Sequence, residues 1–370
     1  MLCYQKKMEY YTDVLVFGTM GNIGQEVERL LAGHGIRTAS APFPQNIFRD
    51  ESGYRRTLVR AISEFRPEVV FPVGNPLAMA RFKGLIEQGV PLGTILNRRH
   101  TDPLTEEAVR NVRIAVEKEE TIRLLDSKVR CYALANRLGI PQPRVFGSPD
   151  EIPEGTKTVF KRDVSFGGHG VHLPKDLGAL QRLIAHQSPG ELFLIEEFIE
   201  GQDYSLDAVR SRDGGIVSGG YRCLSTEDFR RADGGSGAAL GRMCKQIKAS
   251  DSSTSRLQSR AETVSGSHTT DNGRTVSSCR AQKVKSIYEG FGPAVVREAL
   301  SEGDSVLEKM RACAANILGH LDYHGICGFD FRADASGNVW LLECNPRFTG
   351  GICVQASAGL NLPLALYRTL

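Results

Sequence analysis

Short apolar runs alternate with amphipathic stretches over roughly the first hundred residues of the chain, from Asp13 to about Leu96. The apolar runs have the length of buried strands, and the stretches between them have the spacing of helices with one apolar face. This alternation predicts a parallel α/β unit. The predicted strands are Val14–Phe17, Ile36–Ala41 and Val69–Val73, and the predicted helices are Glu26–Leu31 and Arg55–Phe65.

Three glycines, Gly18, Gly21 and Gly24, follow the first predicted strand and lead into its helix. The loop resembles the phosphate-binding turn of dinucleotide-binding folds, although its spacing is GxxGxxG and not GxGxxG. Two interpretations stay open. We favour a tight strand-to-helix turn; the alternative is a contact with a nucleotide or substrate.

A charged segment of helical pattern runs from Glu106 to Leu138 and ends at Gly139, with Pro141 and Pro143 beyond. Glycine followed by proline is a typical helix end, and we interpret this point as a domain hinge. A second unit of mixed strands and helices follows. Its predicted parts are a strand at Thr158–Lys161, a glycine loop at Ser165–Gly170, a helix at Asp176–His186, a strand at Leu192–Glu197 and a hairpin of Tyr204–Val209 with Ile216–Cys223.

The apolar periodicity is lost between about Ala232 and Lys285, where Ser, Thr, Gly, Arg and Lys dominate. Such a composition buries too little apolar surface to offset chain entropy, so we expect a disordered insertion at about 232–285. A basic tail for nucleic acid is disfavoured because no aromatic residues are interleaved. Order is expected to return in the helix Ser305–His320, which has one apolar face.

The net charge and the distribution of the cysteines limit the classes of function that this chain could have. The net charge is +3, from 46 basic and 43 acidic residues, so no global field favours nucleic acid or a membrane surface. The nine cysteines are dispersed without a CxxC pair, which indicates a reduced, cytoplasmic protein without structural zinc. No signal-like segment or run of about 20 apolar residues is found, so we expect a soluble chain.

Acidic and amide side chains near the end of the chain have the arrangement of a magnesium site. Asp330 and Glu343 are separated by the turn-forming run Asp334–Asn338, so a hairpin would bring both carboxylates together. Asn345 shares the strand face of Glu343 because side chains alternate with period two. Oxygen ligands of this kind suit Mg²⁺, and Arg347 offers a planar fork for a phosphate oxygen.

Several motifs follow one another along the chain: Asp126-Ser-Lys128, Leu138–Pro143, Lys161 with the following glycine loop, Glu196–Gly201, the acidic hairpin, and Leu341–Arg347. In this order they resemble the ATP-grasp superfamily over most of the chain. No GxxxxGK sequence occurs, so ATP is not expected to bind through a P-loop.

The resemblance implies three parts and an ATP site. The parts are a Rossmann-like α/β domain at 1–118, an α+β lid subdomain at 119–190 and an α+β C-terminal subdomain at 191–370, with the last two clasping ATP. Lys128 and Lys161 would bind phosphates, Gly167, Gly168 and Gly170 would form a mobile flap, and Glu196, the Glu197 carbonyl and the Ile199 amide would bind adenine. Asp203 would contact the ribose, Asp330, Glu343 and Asn345 would hold Mg²⁺ or Mn²⁺, and Lys161 and Arg347 would be catalytic.

The implied activity is an ADP-forming ligase that activates a carboxylate as an acyl phosphate for attack by an amine. Its partners would be these small molecules, with no nucleic acid and no membrane, and a homodimer is one candidate state. Arg222, Arg230 and Arg231 are candidates for substrate contacts. Two alternatives stay open: a catalytically impaired ATP-binding module, and a nicotinamide oxidoreductase that rests on the Gly18–Gly24 loop alone. The acid and the nucleophile are not identified by the sequence.

Overall fold

The structure is a computed structural model that describes residues 11–18, 22–42, 50–165, 170–225 and 295–370. Statements about the structure refer to these residues. The predicted flap glycines Gly167 and Gly168, the predicted insertion at 232–285, and the candidates Arg230 and Arg231 lie outside the described residues.

The first sheet is parallel and confirms the predicted α/β unit. Its strands are β1 (Thr12–Phe17), β2 (Thr38–Ala41), β3 (Pro67–Pro72) and β4 (Arg113–Ile114), in the order β2-β1-β3-β4. Apolar side chains of β1 are buried on both faces of the sheet, as expected for a parallel sheet covered on both sides. Gly18 ends β1 with φ of 91°, which agrees with a tight turn there.

Five helices connect or cover these strands. Asp50 caps the second helix, where its carboxylate accepts a hydrogen bond of 2.8 Å from the Gly53 amide. Proline at the first helical position begins the third and fifth, because it needs no amide partner there. The helices are α1 (Asn22–Ala32), α2 (Glu51–Phe65), α3 (Pro76–Glu87), α4 (Leu92–Leu96) and α5 (Pro103–Asn111).

The prediction of helical structure from Glu106 to Leu138 is wrong for part of this segment. Two further helices, α6 (Glu119–Asp126) and α7 (Lys128–Arg137), are separated from α5 by the strand β4. The side chains of Val112, Ile114 and Val116 are buried while their neighbours are more exposed, a period of two that favours a strand. The predicted end is confirmed, since Gly139 follows α7 with φ of 66°.

The second sheet is antiparallel and has the order β5-β8-β6-β7. It contains the predicted strands around Lys161 and Glu196. The predicted helix Asp176–His186 lies between these strands in the chain. The elements are β5 (Val145–Phe146), β6 (Thr158–Arg162), β7 (Val171–His172), α8 (Leu177–Ala185) and β8 (Phe193–Glu197).

The third sheet is antiparallel, with the order β11-β10-β9-β12-β13, and both predicted hairpins belong to it. Its strands are β9 (Gln202–Arg210), β10 (Ile216–Ser225), β11 (Val295–Ala299), β12 (Gly325–Ala333) and β13 (Val339–Asn345). Three helices accompany it: α9 (Ser305–His320), α10 (Ile352–Ser357) and α11 (Leu362–Thr369). The predicted mixture of an α/β unit with α+β parts is therefore confirmed.

The apolar core is continuous across the predicted domain limits. One buried cluster joins Val14 and Phe71 of the first sheet to Phe348, Ile352 and Leu366 near the C-terminus. Phe71 and Phe348 are in ring contact, with centroids 5.8 Å apart. The C-terminal helices thus pack on the first sheet, while the limits at 118 and 190 stay predictions.

Gly201 connects the strand that carries Glu196 to the third sheet. A methyl group at this position would clash with the backbone carbonyl of Ala333, so we expect Gly201→Ala to lower the free energy of unfolding by about 2 kcal/mol. Gly84→Ala is the control, because a methyl group there meets open space within a helix and should stabilise the protein by about 0.5–1 kcal/mol. Urea denaturation checks both signs, and equal stability of the two variants would contradict the packing argument.

Candidate active site

The predicted acidic hairpin is confirmed in the third sheet. Asp330 of β12 lies directly opposite Glu343 of β13, and the turn is closed by a hydrogen bond from the Asp334 amide to the Asn338 carbonyl. The register shifts after Asp330, so that Leu342 is an extra residue on β13. Such a bulge changes the direction of neighbouring side chains and is common beside functional sites.

The three predicted metal ligands are brought together. The Asn345 amide nitrogen lies 3.1 Å from a carboxylate oxygen of Asp330 and 3.4 Å from one of Glu343. The Ser205 hydroxyl donates to the other oxygen of Asp330 at 2.6 Å. Sequence reasoning missed Ser205, although it is adjacent in register to Asp330 on β9.

The pKa values of the two carboxyl groups are shifted in opposite directions. Burial and the nearby charge of Glu343 raise the pKa of Asp330. Burial also acts to raise the pKa of Glu343, but the Lys128 and Lys161 ammonium groups and the hydrogen bond with Asp330 together outweigh it and lower that pKa. Asp330 and Glu343 are partly buried, and two carboxylates this close repel each other unless a proton or cation lies between them. Two carboxylates and one amide are also a small set, which suits Mg²⁺ because this ion takes its remaining ligands from phosphate and water.

Lys128 begins α7 and is buried, with only 4% of its side chain exposed, so it is not a solvated helix lysine. Its ammonium lies 3.1 Å from the Glu343 carboxylate and 3.3 Å from the Ser165 hydroxyl. Asp163 holds this helix end to β6, since its carboxylate accepts hydrogen bonds from the Ser127 hydroxyl and the Val129 amide at 2.8 and 2.9 Å. An acidic residue is favourable at a helix N-terminus, and it positions Lys128 here.

Lys161 lies in the middle of β6 and forms a buried ion pair with Glu196 of β8. The ammonium and carboxylate are 2.5 Å apart, and the two side chains are 3% and 2% exposed. The Tyr132 hydroxyl donates to the second carboxylate oxygen at 2.7 Å. The Glu196 side chain, expected near adenine, is thus fully engaged by two protein groups in this structure.

A narrow apolar cavity lies between the second and third sheets at the predicted adenine position. Val159, Val171, Glu197, Ile199 and Leu342 are among its lining residues. Its volume is about 20 Å³, which is room for about one water molecule. Adenine would need the surrounding side chains to move apart.

Arg332 of β12, which sequence reasoning missed, closes one side of this cavity. Its guanidinium lies 2.5 Å from the Asp203 carboxylate, donates to the Ile199 carbonyl at 3.0 Å, and lies over the Phe198 ring. Asp203 was predicted to contact the ribose, and in this structure it forms an ion pair with Arg332. A signal was present in the sequence, because Arg332 shares a strand face with Asp330.

Two further predicted residues lie around the site. Gly170 has φ of 89° and its carbonyl accepts from the Arg162 amide at 2.8 Å, so the end of the predicted flap is anchored on β6. Arg347 follows β13. Burial raises the pKa of Asp126, and the positive charge of Arg347 acts in the opposite direction. The guanidinium is therefore near the Lys128 end of the site.

Arg222 does not face this site. It pairs across the sheet with Glu298 at 2.7 Å, on the face opposite to Asp330, because cross-strand partners share a face. Among the described residues no group of three or more His, Cys, Asp or Glu could hold a metal ion. None of the helices in the described part of the chain is long and apolar enough to cross a membrane.

Comparison with known proteins gives matches to part of the chain in sequence and to nearly all of it in structure. Residues 293–370 match the family model described as an ATP-grasp in the biosynthetic pathway with Ter operon. The C-terminal section of the carbamoyl phosphate synthase large chain from Methanopyrus kandleri is 26% identical over an alignment of 160 residues, and the match covers 39% of this chain. The chain covers 29% of that relative's length.

Two solved structures share the fold at low sequence identity. The biotin carboxylase domain of the 2-oxoglutarate carboxylase from Hydrogenobacter thermophilus has a TM-score of 0.59 at 14% identity, with 98% of this chain and 70% of that chain covered. The L-amino acid ligase from Bacillus licheniformis has a TM-score of 0.56 at 12% identity, with 98% and 75% covered. The family-model match over residues 293–370 supports the predicted resemblance to the ATP-grasp superfamily, and the two solved structures show that the chain shares their fold.

Proposed function

We propose that the chain is an ATP-dependent, ADP-forming ligase that joins a carboxylate to an amine. The observation that carries this proposal is the convergence of the buried side chains of Lys128 and Asn345 with the partly buried carboxylates of Asp330 and Glu343. Buried charges of this kind are costly for stability alone and are typical of functional sites.

The acidic hairpin fits a divalent cation. Asp330 and Glu343 supply carboxylate oxygens and Asn345 supplies an amide oxygen after rotation of its side chain. Mg²⁺, or Mn²⁺ in its place, would neutralise charge on the ATP phosphates and orient the terminal phosphoryl group. The carboxylate repulsion described above is the structural reason for a cation here.

Lys128 and Lys161 would bind ATP phosphates by exchanging or sharing their present contacts with carboxylates. Lys128 contacts Glu343 at 3.1 Å; with a cation on Glu343, its ammonium would be available to phosphate oxygens. Lys161 would likewise share its charge between Glu196 and a phosphate. Lysine suits such exchange because its donors rotate freely, and Arg347 would stabilise the phosphoryl group during transfer.

The nucleotide base and sugar would occupy the cavity closed by Arg332. Glu196, Glu197 and Ile199 are among its lining residues, and the Glu197 carbonyl, the Ile199 amide and the Glu196 carboxylate would contact adenine there. Release of Asp203 from Arg332 would make a carboxylate available to ribose hydroxyls. Gly167, Gly168 and Gly170 keep their proposed role as the flap over the phosphates.

In the proposed reaction, a substrate carboxylate oxygen attacks the terminal phosphorus of ATP and ADP leaves. The acyl phosphate then reacts with an amine, which forms the amide and releases inorganic phosphate. The residues of this chain position the reactants and neutralise charge, which is the main requirement for phosphoryl transfer. Of the two structural neighbours, one was solved with MgADP and bicarbonate and the other is an L-amino acid ligase, which supports ligase chemistry without selecting the acid.

An ADP-coupled screen tests the proposal. Small carboxylates and amino acids are combined with amine acceptors in the presence of ATP and Mg²⁺, and ADP release is measured above the background without acid. We expect ADP release that requires an acid and product formation that requires an amine. ATP binding by calorimetry without acid-dependent ADP release would instead favour the ATP-binding module.

A further inference from the structure

A second polar cluster continues the face of the third sheet that carries Asp330. Tyr221 pairs with Ser205, Arg297 pairs with Cys223, and Asp207 follows Ser205 by two residues. Directly paired residues and residues two apart share a face. Arg297 and Asp207 therefore lie on the same side of the sheet as the candidate metal ligands, and none of the roles above uses them.

Arg297 is a buried cation without a carboxylate partner. Its side chain is 8% exposed, lies over the Tyr221 ring and donates to the Gly350 carbonyl at 2.8 Å. Its Nε is buried without a hydrogen-bond partner, and within the described residues no carboxylate forms an ion pair with it. Arginine frequently forms two parallel hydrogen bonds to a carboxylate, and Arg297 forms no such pair among the described residues.

Asp207 is a buried acid with a free oxygen. It is 1% exposed, and one carboxylate oxygen accepts from the Thr349 hydroxyl at 2.6 Å. The other oxygen, Oδ2, is buried without a partner among the described residues. Burial raises the pKa of Asp207 to about 6, against the opposing effects of the Thr349 hydrogen bond and of the nearby Arg297 charge.

The same short loop covers both groups. Thr349 and Gly350 give Asp207 and Arg297 one contact each, a hydroxyl and a carbonyl. A methyl group at Gly351 would clash with Asp207 and Tyr221, so glycine allows this close approach. The loop contacts are neutral, and a ligand carrying a carboxylate and an ammonium would replace each of them with a charge-assisted bond, which is stronger.

We propose that Arg297 and Asp207 form the acid-substrate subsite and that the acid is an amino acid, with its carboxylate on Arg297 and its ammonium on Asp207. This inference rests on the ligase function proposed above and names its substrate class. The subsite lies on the sheet face that carries Asp330, so the carboxylate is held on the side where the phosphoryl group is transferred. Arg222 cannot serve, since it is ion-paired on the other face.

Binding is measured by calorimetry on the full chain with Mg²⁺ and a non-hydrolysable ATP analogue. The probes are the common amino acids, each with its carboxamide and its N-acetyl derivative, which remove one charge each. We expect at least one amino acid to bind, and both derivatives to bind about 30-fold more weakly or worse, as when one partner of a buried charge pair is removed.

Two variants assign the charges to the residues. Arg297→Met should weaken amino acid binding by about 30-fold or more, while the affinity for the ATP analogue stays constant. Asp207→Asn should weaken binding of the free amino acid but not of its N-acetyl derivative, a difference that a merely structural role would not produce. Arg222→Met is the matched control and should change neither affinity; Arg297→Lys keeps the charge and replaces Arg297→Met if that variant fails to fold.

The outcomes separate this inference from the proposed function. Absence of amino acid binding, or equal affinity in wild type and in both variants, would overturn the subsite. If an acid without an ammonium group promotes ADP release as well as any amino acid, the subsite is wrong and the ligase function stands. If amino acids bind with the expected charge dependence and no acid promotes ADP release, the subsite stands and the ligase function fails.

Discussion

Glu343→Gln is expected to lower Mg²⁺-dependent ADP formation by about 100-fold or more in kcat/KM. The substitution removes a cation ligand from the hairpin. It also removes the partner of Lys128, whose ammonium lies 3.1 Å from the carboxylate in a buried position. Mn²⁺ binding in the presence of ATP, followed by electron paramagnetic resonance, should weaken in parallel, because that readout needs no knowledge of the acid.

The control for this variant is Glu298→Gln on the outer face of the same sheet. Glu298 is half exposed and pairs with Arg222, so its neutralisation should leave both Mn²⁺ binding and ADP formation unchanged. Thermal unfolding of both proteins verifies that the fold is retained. Unchanged ADP formation in a folded Glu343→Gln protein would show that the acidic hairpin is not the metal site.

The sequence predicted the parts of the site that depend on local pattern. Asp330 and Glu343 were brought together correctly because a turn between two apolar runs defines a hairpin, and period two then places Asn345 on the same face. The bulge at Leu342 was not predicted, since an extra residue on one strand leaves no mark in hydrophobic alternation. The helices and strands of the first sheet followed from apolar periodicity in the same way.

The contacts that were missed depend on register between distant strands. Lys161 and Glu196 were each assigned to ATP, but their mutual ion pair appears only when β6 lies beside β8. Arg297 follows the irregular region of the chain and carries no motif, and sequence alone does not reveal that an arginine is buried. The strand at Arg113–Ile114 was missed because its alternation at Val112, Ile114 and Val116 is short and lies between charged segments of helical pattern.

Lys161→Met is expected to destabilise the protein by about 3–5 kcal/mol, because it leaves the Glu196 carboxylate buried without its counter-charge. ATP affinity should fall as well, since the phosphates lose a cation. The double variant Lys161→Met/Glu196→Gln should recover most of the stability, because the neutral amide at position 196 can still accept a hydrogen bond from the Tyr132 hydroxyl. Urea denaturation and ATP calorimetry on both proteins measure the two effects separately.

The comparison of stability with affinity decides what Lys161 does. If the double variant regains stability while ATP binding stays weak, the lysine has a nucleotide role that is separate from its ion pair with Glu196. If affinity returns together with stability, the lysine only holds β6 against β8, and the phosphate role assigned to it is wrong. Glu196→Gln alone completes the cycle, and its coupling energy with Lys161→Met measures the ion pair directly.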